Sequence, residues 1–170
     1  MPLNIYEEGR TLVFGHRGAS GYAPQNTLPS FELAVQQGVD GVEFDVHLSA
    51  DGELVIIHDF DVDHTTDGHG EVATMTLAQL KALDAGIRFD TKFAGARIPT
   101  LDEVFETLGG RIAVNVEIKA IADGIEAKVA DCIRRHNLAD KTIISSFNPL
   151  ILHRFRSAAP DIAIGFLYYE

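Results

Sequence analysis

Short apolar runs alternate along the chain with stretches whose apolar residues recur every three or four positions. The first pattern predicts β-strands and the second predicts amphipathic helices, as in residues 28–37, where Leu28, Phe31 and Ala34 share one face. Strands that alternate with helices in this way predict an α/β fold built on a parallel sheet. The six predicted strands are residues 12–15, 42–48, 54–58, 112–118, 142–147 and 162–169.

Turn and capping signals lie between these segments. Asp51 and Gly52 predict a hairpin-type turn between the second and third strands. Residues 59–98 predict a loop or small excursion between the third strand and the following helix, and their first part is rich in Asp, His, Gly and Thr. Two capping boxes predict helix starts, Thr76 with Gln79 and Thr100 with Glu103.

Two layouts fit a parallel sheet covered by helices, an open doubly wound sheet and a closed (β/α)₈ barrel. A complete barrel usually needs about 250 residues and eight strands. The chain has 170 residues, which predicts one domain, and its pattern contains six strands. The hydrophobic pattern alone therefore favours the open sheet.

Composition and charge narrow the classes of function. The formal net charge of −11 opposes binding to nucleic acid and to anionic membrane surfaces, although local cations can still attract a small anionic substrate. No apolar run is long enough to span a membrane, and the N-terminal sequence lacks the pattern of a signal peptide. The single cysteine, Cys132, excludes an internal disulfide and fits a reducing compartment. We therefore expect a cytoplasmic protein with no stable membrane anchor and no nucleic-acid partner.

The second and fourth strands each carry carboxylates on one face and apolar residues on the other. Glu43 and Asp45 share a face of the second strand, and Glu117 shares a face of the fourth strand with Lys119. An ordinary solvent-facing strand has the same alternation, so either strand alone leaves both interpretations open. Strands of parallel sheets are normally covered on both faces, however, and carboxylates buried together repel unless a cation lies between them. Three hard oxygen donors favour Mg²⁺ or Ca²⁺ over zinc.

Two histidines and two cations lie near these carboxylates in the predicted fold. His16 follows the first predicted strand and His58 ends the third, where α/β proteins place ligands, and such a pair is suited to acid–base catalysis near neutral pH. A histidine at the end of a strand is also often structural. Arg17 and Lys119 are suited to a phosphate group or to salt bridges with the carboxylates, and the two roles are not exclusive.

These residues lie in a set of motifs that resembles the glycerophosphodiester phosphodiesterase family. The motifs follow the family's order and span nearly the whole chain, so the resemblance is highly specific. They are Gly15-His16-Arg17-Gly18-Ala19, Ala23-Pro24-Gln25-Asn26-Thr27, Gly41-Val42-Glu43-Phe44-Asp45-Val46, Asp51-Gly52, His58-Asp59, Thr65-Thr66-Asp67-Gly68-His69-Gly70, Leu83-Asp84-Ala85-Gly86, Ile98-Pro99-Thr100-Leu101, Asn115-Val116-Glu117-Ile118-Lys119 and Ser145-Ser146-Phe147.

The resemblance implies a TIM barrel of the phospholipase C-like phosphodiesterase type, and this expectation replaces the open sheet. It also implies a divalent cation, Mg²⁺ or Ca²⁺, held by Glu43, Asp45 and Glu117. The general acid–base pair implied by the family is His16 with His58.

The same resemblance implies that Arg17 and Lys119 bind the phosphate of a small glycerophosphodiester. The expected reaction is hydrolysis to sn-glycerol 3-phosphate and an alcohol. One histidine would deprotonate water or the neighbouring glycerol hydroxyl, and the other would protonate the leaving oxygen.

The chain departs from the family pattern in two respects. Gln25 stands where the family usually has Glu, which keeps the hydrogen bonding but removes a charge. The family domain also continues through further strands, so we expect residues 1–170 to be a single domain that lacks its C-terminal part and a barrel truncated after about six strands. Unpaired edges of such a barrel predict self-association or a partner that completes it.

Two other functions are compatible with these residues. One is a truncated, inactive chain that binds metal or phosphate. The other is a related phospholipase that acts on lipid head groups, against which the acidic chain without an anchor argues.

Overall fold

The apolar runs form the strands of one sheet in the computed structural model, which describes residues 10–169. The preceding residues, whose sequence lacks a signal-peptide pattern, lie outside the described part of the chain. The strands are β1 (Phe14–His16), β2 (Gly41–Leu48), β3 (Leu54–Ile56), β4 (Ala113–Ile118), β5 (Thr142–Ser146) and β6 (Ala163–Phe166). The helices are α1 (Leu28–Gln36), α2 (Leu77–Ala82), α3 (Leu101–Leu108), α4 (Ile125–Arg135) and α5 (Pro149–Ala158), with 3₁₀ turns at Val72–Thr74 and Thr91–Phe93.

Five of the six strands are parallel and follow one another across the sheet in the order β1-β2-β4-β5-β6. A doubly wound sheet reverses its strand order at a switch point, whereas barrel strands keep their chain order around the sheet. No reversal occurs among these strands. The open doubly wound sheet favoured by the pattern alone is therefore wrong, and the strand order is that of a barrel.

The third predicted strand, β3, runs antiparallel to β2. The cause is the predicted turn at Asp51 and Gly52, since Gly52 has φ +82° and the chain reverses there. The expectation that His58 ends a parallel strand was thus wrong. Val46 pairs with β4 through Ile118 and with β3 through Ile56, so β3 lies on the edge of β2 that also carries β1.

This reversal brings His58 back toward the carboxylates of β2. The backbone N–H of Ile57 donates to the carbonyl of Asp45 at 3.1 Å, one residue before His58. A histidine that follows an antiparallel strand therefore reaches the same end of the sheet as the residues that follow the parallel strands.

The apolar face of β2 packs against helices α1 and α3. Phe44 lies between Phe31 of α1 and Phe105 of α3, with ring centroids 5.4 and 6.3 Å apart, and all three rings are fully buried. Each such burial contributes roughly 1.5–3 kcal/mol to folding. Because strand residues alternate between faces, this packing directs Glu43 and Asp45 to the opposite side of the sheet.

Helix capping follows the sequence signals. Both predicted capping boxes form, with the Thr76 and Thr100 hydroxyls accepting from the backbone N–H groups of Gln79 and Glu103.

Residues 59–98 contain α2 and both 3₁₀ turns. They pack through a small apolar cluster on β3, formed by Val55, Ile57, Val62, Val72, Leu80, Ala85 and Ile98. No helix in the described residues is long and apolar enough to cross a membrane.

Candidate active site

A cavity of about 330 Å³ lies at the carboxyl ends of the parallel strands. It is lined by six of the seven site residues predicted from the sequence, and the seventh, Asp45, is buried beside them with 1% of its surface exposed. The lining residues are His16, Arg17, Glu43, His58, Asn115, Glu117, Lys119, Ser145, Phe147, Leu167 and Tyr169.

The three predicted carboxylates converge from neighbouring strands. Asp45 and Glu117 are paired in the parallel register of β2 and β4, and Glu43 precedes Asp45 on the same face. Ligand atoms of all three lie within 4.8 Å of one another. Burial and the neighbouring Asp45 raise the pKa of Glu43 to about 8, and burial also raises the pKa of Glu117. Both shifts arise because burial disfavours charged carboxylates.

Two basic side chains offset only part of this negative charge. Lys119 places its Nζ 2.8 Å from Glu117 Oε1 and 3.4 Å from Asp45 Oδ1, and Arg17 Nε lies 3.6 Å from Asp45 Oδ2. The two carboxylates raise the pKa of Lys119, although its burial acts in the opposite direction. Three carboxylates against two cations leave an excess of one negative charge when all are ionised.

The donor set fits a hard divalent cation. Asp45 Oδ1 is buried and accepts no hydrogen bond from the described residues, although Lys119 lies nearby. Carboxylate oxygens are the ligands that Mg²⁺ and Ca²⁺ prefer, and such an ion would compensate the remaining charge. The cluster formed by Glu43, Asp45 and Glu117 is therefore able to bind a metal ion.

The two predicted histidines both line the cavity. His16 Nε2 lies 3.8 Å from Glu43 Oε2, and partial burial together with Arg17 lowers the pKa of His16. His58 Nδ1 lies 2.7 Å from Asp59 Oδ1. Since that contact occupies Nδ1, the other ring nitrogen of His58 is left for the cavity.

The loop after β1 turns sharply because of its backbone conformation. Arg17 has φ +55° and Gly18 has φ +81°, both in the left-handed region. This turn lets the Arg17 N–H donate to Glu43 Oε2 at 3.2 Å and its guanidinium donate to Gln25 Oε1 at 2.6 Å. The loop therefore fixes His16 and Arg17 relative to the carboxylates.

Replacing Gly18 by alanine is expected to destabilise the protein by about 1–3 kcal/mol, because a side chain is strained at positive φ. The added Cβ would also lie 2.5 Å from Ser30 Oγ and 2.9 Å from the Ser30 backbone carbon. Urea denaturation measures the loss. Gly21→Ala in the same loop is the control, since a Cβ at Gly21 meets nothing within 4 Å. Equal stability of the two variants would contradict this account of the loop.

Several site residues were not predicted from the sequence. Asn26, with φ +56°, donates from Nδ2 to Asp45 Oδ2 at 2.9 Å, and Gln25 binds Arg17. His47 Nε2 lies 3.2 Å from the carbonyl oxygen of His58, which is within hydrogen-bonding distance. The available signals were the family motif that contains Gln25 and Asn26, and for His47 the face of β2 that it shares with the carboxylates.

A second group of potential metal ligands lies between α3 and α4, formed by Asp102, Cys132 and His136. Asp102 already accepts two hydrogen bonds from Arg135 and lies 2.8 Å from His136 Nε2. Burial and Asp102 raise the pKa of the Cys132 thiol to about 12, so the thiol stays protonated and ligates poorly. We interpret this group as a structural tie between the helices, with Cys132 in the hydrophobic core.

Comparison with known proteins places the chain in one family. A sequence model of the glycerophosphoryl diester phosphodiesterase family matches residues 16–170. A glycerophosphodiester phosphodiesterase from Caldanaerobacter subterraneus subsp. tengcongensis is 49% identical over 163 residues, which are 94% of this chain and 67% of that protein.

Solved structures agree with the sequence relatives. A glycerophosphodiester phosphodiesterase from Agrobacterium tumefaciens matches with a TM-score of 0.86 and 41% identity, over 91% of this chain and 66% of that one. An Oleispira antarctica phosphodiesterase, solved in complex with the product sn-glycerol-3-phosphate, matches with a TM-score of 0.85 and 40% identity, over 91% and 65% of the two chains.

The chain thus spans about two thirds of the length of these relatives. Its fold is the predicted α/β fold of the TIM-barrel type, of which the described residues supply five parallel strands. Matched sequence, strand order and strand-end motifs all lead to the same assignment. The chain belongs to the glycerophosphoryl diester phosphodiesterase family.

Proposed function

We propose that this chain carries the active site of an enzyme that hydrolyses glycerophosphodiesters to sn-glycerol 3-phosphate and an alcohol. The observation that carries the proposal is the single cavity that contains a carboxylate cluster, two histidines and two basic side chains. The names of the relatives and the product bound to the Oleispira protein support the same substrate class.

In this proposal Glu43, Asp45 and Glu117 hold a divalent cation, Mg²⁺ or Ca²⁺. The bound cation supplies neutralisation of the negative charge that develops on the phosphoryl oxygens. Arg17 and Lys119 both line the cavity and lie near Asp45, and their positive charges orient the phosphate through charge-assisted hydrogen bonds. Their present ion pairs with the carboxylates are compatible with this role.

Proton transfer falls to His16 and His58. One histidine removes a proton from water or from the glycerol hydroxyl beside the phosphate as that oxygen bonds to phosphorus, and the other gives a proton to the leaving alcohol oxygen. Attack by water gives sn-glycerol 3-phosphate directly, whereas attack by the glycerol hydroxyl gives a cyclic phosphate that water then opens. Asp59 holds His58 through Nδ1, which fixes the orientation of the ring. His47 holds the backbone of the same residue, so the position of His58 is fixed at two points.

Cation binding is expected to tighten as the pH rises from the ordinary carboxyl pKa of 4.5 toward about 8, the pKa of Glu43. Below about pH 8 Glu43 is mostly protonated in the absence of a cation, and it must lose its proton to become a ligand. Calorimetric titration with Ca²⁺ or Mg²⁺ in two buffers of different protonation enthalpy counts the protons released. Binding without proton release, and with the same affinity throughout this range, would contradict the assignment of Glu43.

A second candidate is hydrolysis at the head groups of intact lipids. It is favoured by exposed apolar side chains on loops and a helix start, Phe60, Ile121 and Leu150, which are 64–72% exposed. The net charge of −11 opposes binding to anionic lipid surfaces.

Release of sn-glycerol 3-phosphate from glycerophosphocholine tests the proposal, and vesicles of intact phosphatidylcholine separate the two candidates. We expect turnover of the soluble diester and little turnover of the lipid. Faster hydrolysis of the vesicles would favour the phospholipase, and cation binding without any turnover would favour an inactive binding chain. The predicted cytoplasmic location and self-association stay predictions, to be measured by fractionation and by solution mass.

A further inference from the structure

The hydroxyl of Ser145 is buried beside the carboxylate cluster and has no hydrogen-bond partner among the described residues. Ser145 lies on β5 with 2% of its surface exposed, and it lines the site cavity. Burying a hydroxyl without a partner costs free energy, and native proteins keep few such groups. A partnerless hydroxyl that lines a cavity is therefore suited to bind a ligand.

The next residue, Ser146, has the opposite character although it is equally buried. Its hydroxyl donates to the carbonyl of Ile118 at 2.9 Å and accepts from the backbone N–H of Asn148 at 3.2 Å. Ser146 thus ties the end of β5 to β4. The two adjacent serines lie on opposite faces of β5. Ser146 has a structural role, whereas the hydroxyl of Ser145 has no partner in the described residues.

Asn115 extends the polar surface around Ser145. Ser145 is paired with Glu117 in the register of β5 and β4, and Asn115 is paired with Glu43 in the register of β4 and β2. Paired residues of neighbouring parallel strands share a face, so both side chains lie on the side of the carboxylates. The Oδ1 atom of Asn115 is also buried and partnerless within residues 10–169.

We propose that Ser145 and Asn115 bind the glycerol hydroxyls of the substrate. The inference rests on the function proposed above, and it assigns the glycerol part of the substrate to residues other than those that bind the phosphate. Arg17 and Lys119 carry positive charge and attract the phosphate, whereas Ser145 and Asn115 are neutral. A serine hydroxyl both donates and accepts, as each glycerol hydroxyl does, so Ser145 can hydrogen-bond a glycerol hydroxyl in either direction.

The test compares the affinities of sn-glycerol 3-phosphate and inorganic phosphate, measured by calorimetry at one fixed Ca²⁺ or Mg²⁺ concentration. The wild-type protein is expected to prefer glycerol 3-phosphate. Ser145→Ala is expected to weaken the binding of glycerol 3-phosphate by about 3- to 10-fold, which is the worth of one neutral hydrogen bond. The affinity for inorganic phosphate should stay unchanged. Asn115→Ala is expected to act in the same way.

Ser146→Ala is the matched control. It should leave both affinities unchanged and lower the thermal unfolding temperature, because it removes two hydrogen bonds. Ser145→Ala should not lower that temperature, since its hydroxyl has no partner in the described part of the protein. This contrast separates ligand binding from a structural role.

The proposal is overturned if the wild-type protein shows no preference for glycerol 3-phosphate, or if Ser145→Ala weakens both ligands equally. The second result would assign Ser145 to the phosphate or to the cation instead. These binding measurements do not depend on turnover. A protein that prefers glycerol 3-phosphate through Ser145 but hydrolyses no diester would refute the proposed function and leave this inference standing.

Discussion

Replacing His58 by alanine is expected to lower turnover of a glycerophosphodiester by about 10²- to 10⁴-fold, the usual worth of a positioned general acid or base. The loss should fall mainly on kcat, because the imidazole acts on a proton that moves only in the transition state. Cation affinity and the unfolding temperature should change little, since the side chain of His58 is hydrogen-bonded to Asp59.

Steady-state kinetics and a calorimetric cation titration on the same variant measure both effects. His64→Ala is a suitable control, because His64 is an exposed histidine of the same excursion and does not line the site cavity. If His58→Ala retained turnover within a few-fold of the wild-type rate, the assignment of His58 to proton transfer would be wrong.

Replacing Glu43 by glutamine is expected to weaken divalent-cation binding by at least about 100-fold, more than the loss of a residue that only supports a metal ligand. Activity should fall with it. The stability of the cation-free protein should move in the opposite direction. Ionised Glu43 is buried beside Asp45, and its raised pKa means that ionisation destabilises the fold.

The sign of this effect follows from proton linkage. The pKa of a glutamate is 4.5 in the unfolded chain, whereas burial and the neighbouring Asp45 raise the pKa of Glu43 to about 8 in the folded protein. Its contribution to stability therefore falls as the pH rises between these two values and stays low above them. Glutamine removes that loss, so cation-free Glu43→Gln should unfold at a higher temperature than the wild type near pH 8.

Thermal unfolding with and without Ca²⁺ or Mg²⁺ tests both parts of this prediction. Cation should raise the unfolding temperature of the wild type and leave that of Glu43→Gln almost unchanged. Glu106→Gln, at an exposed position of α3, controls for the loss of one negative charge. A cation-dependent stabilisation of Glu43→Gln equal to that of the wild type would exclude Glu43 as a ligand.

The carboxylate cluster was predictable because it depends on local alternation. Once β2 and β4 are strands, Glu43, Asp45 and Glu117 must face away from the helices that bury Phe44. The register of β2 and β4, which sets Asp45 beside Glu117, was not predicted and is seen only in the structure.

Other features depend on tertiary contacts that the sequence pattern does not report. The turn at Asp51 and Gly52 was predicted, but an apolar run gives no sign of strand direction, so β3 was counted with the parallel strands. The hydrogen bond from Asn26 to Asp45 requires a positive φ at Asn26, which lies in a loop 19 residues before Asp45. Ser145 and Ser146 look alike in sequence, and only the fold separates them.

We propose that this cavity hydrolyses glycerophosphodiesters with the help of a cation and two histidines. The most direct measurement is release of sn-glycerol 3-phosphate from glycerophosphocholine by thoroughly chelated protein, before and after Mg²⁺ or Ca²⁺ is restored. The account predicts negligible release by the chelated protein, and recovery by the wild type but not by His58→Ala once the cation is restored. Undiminished release without a divalent cation, or full recovery by His58→Ala, would contradict it.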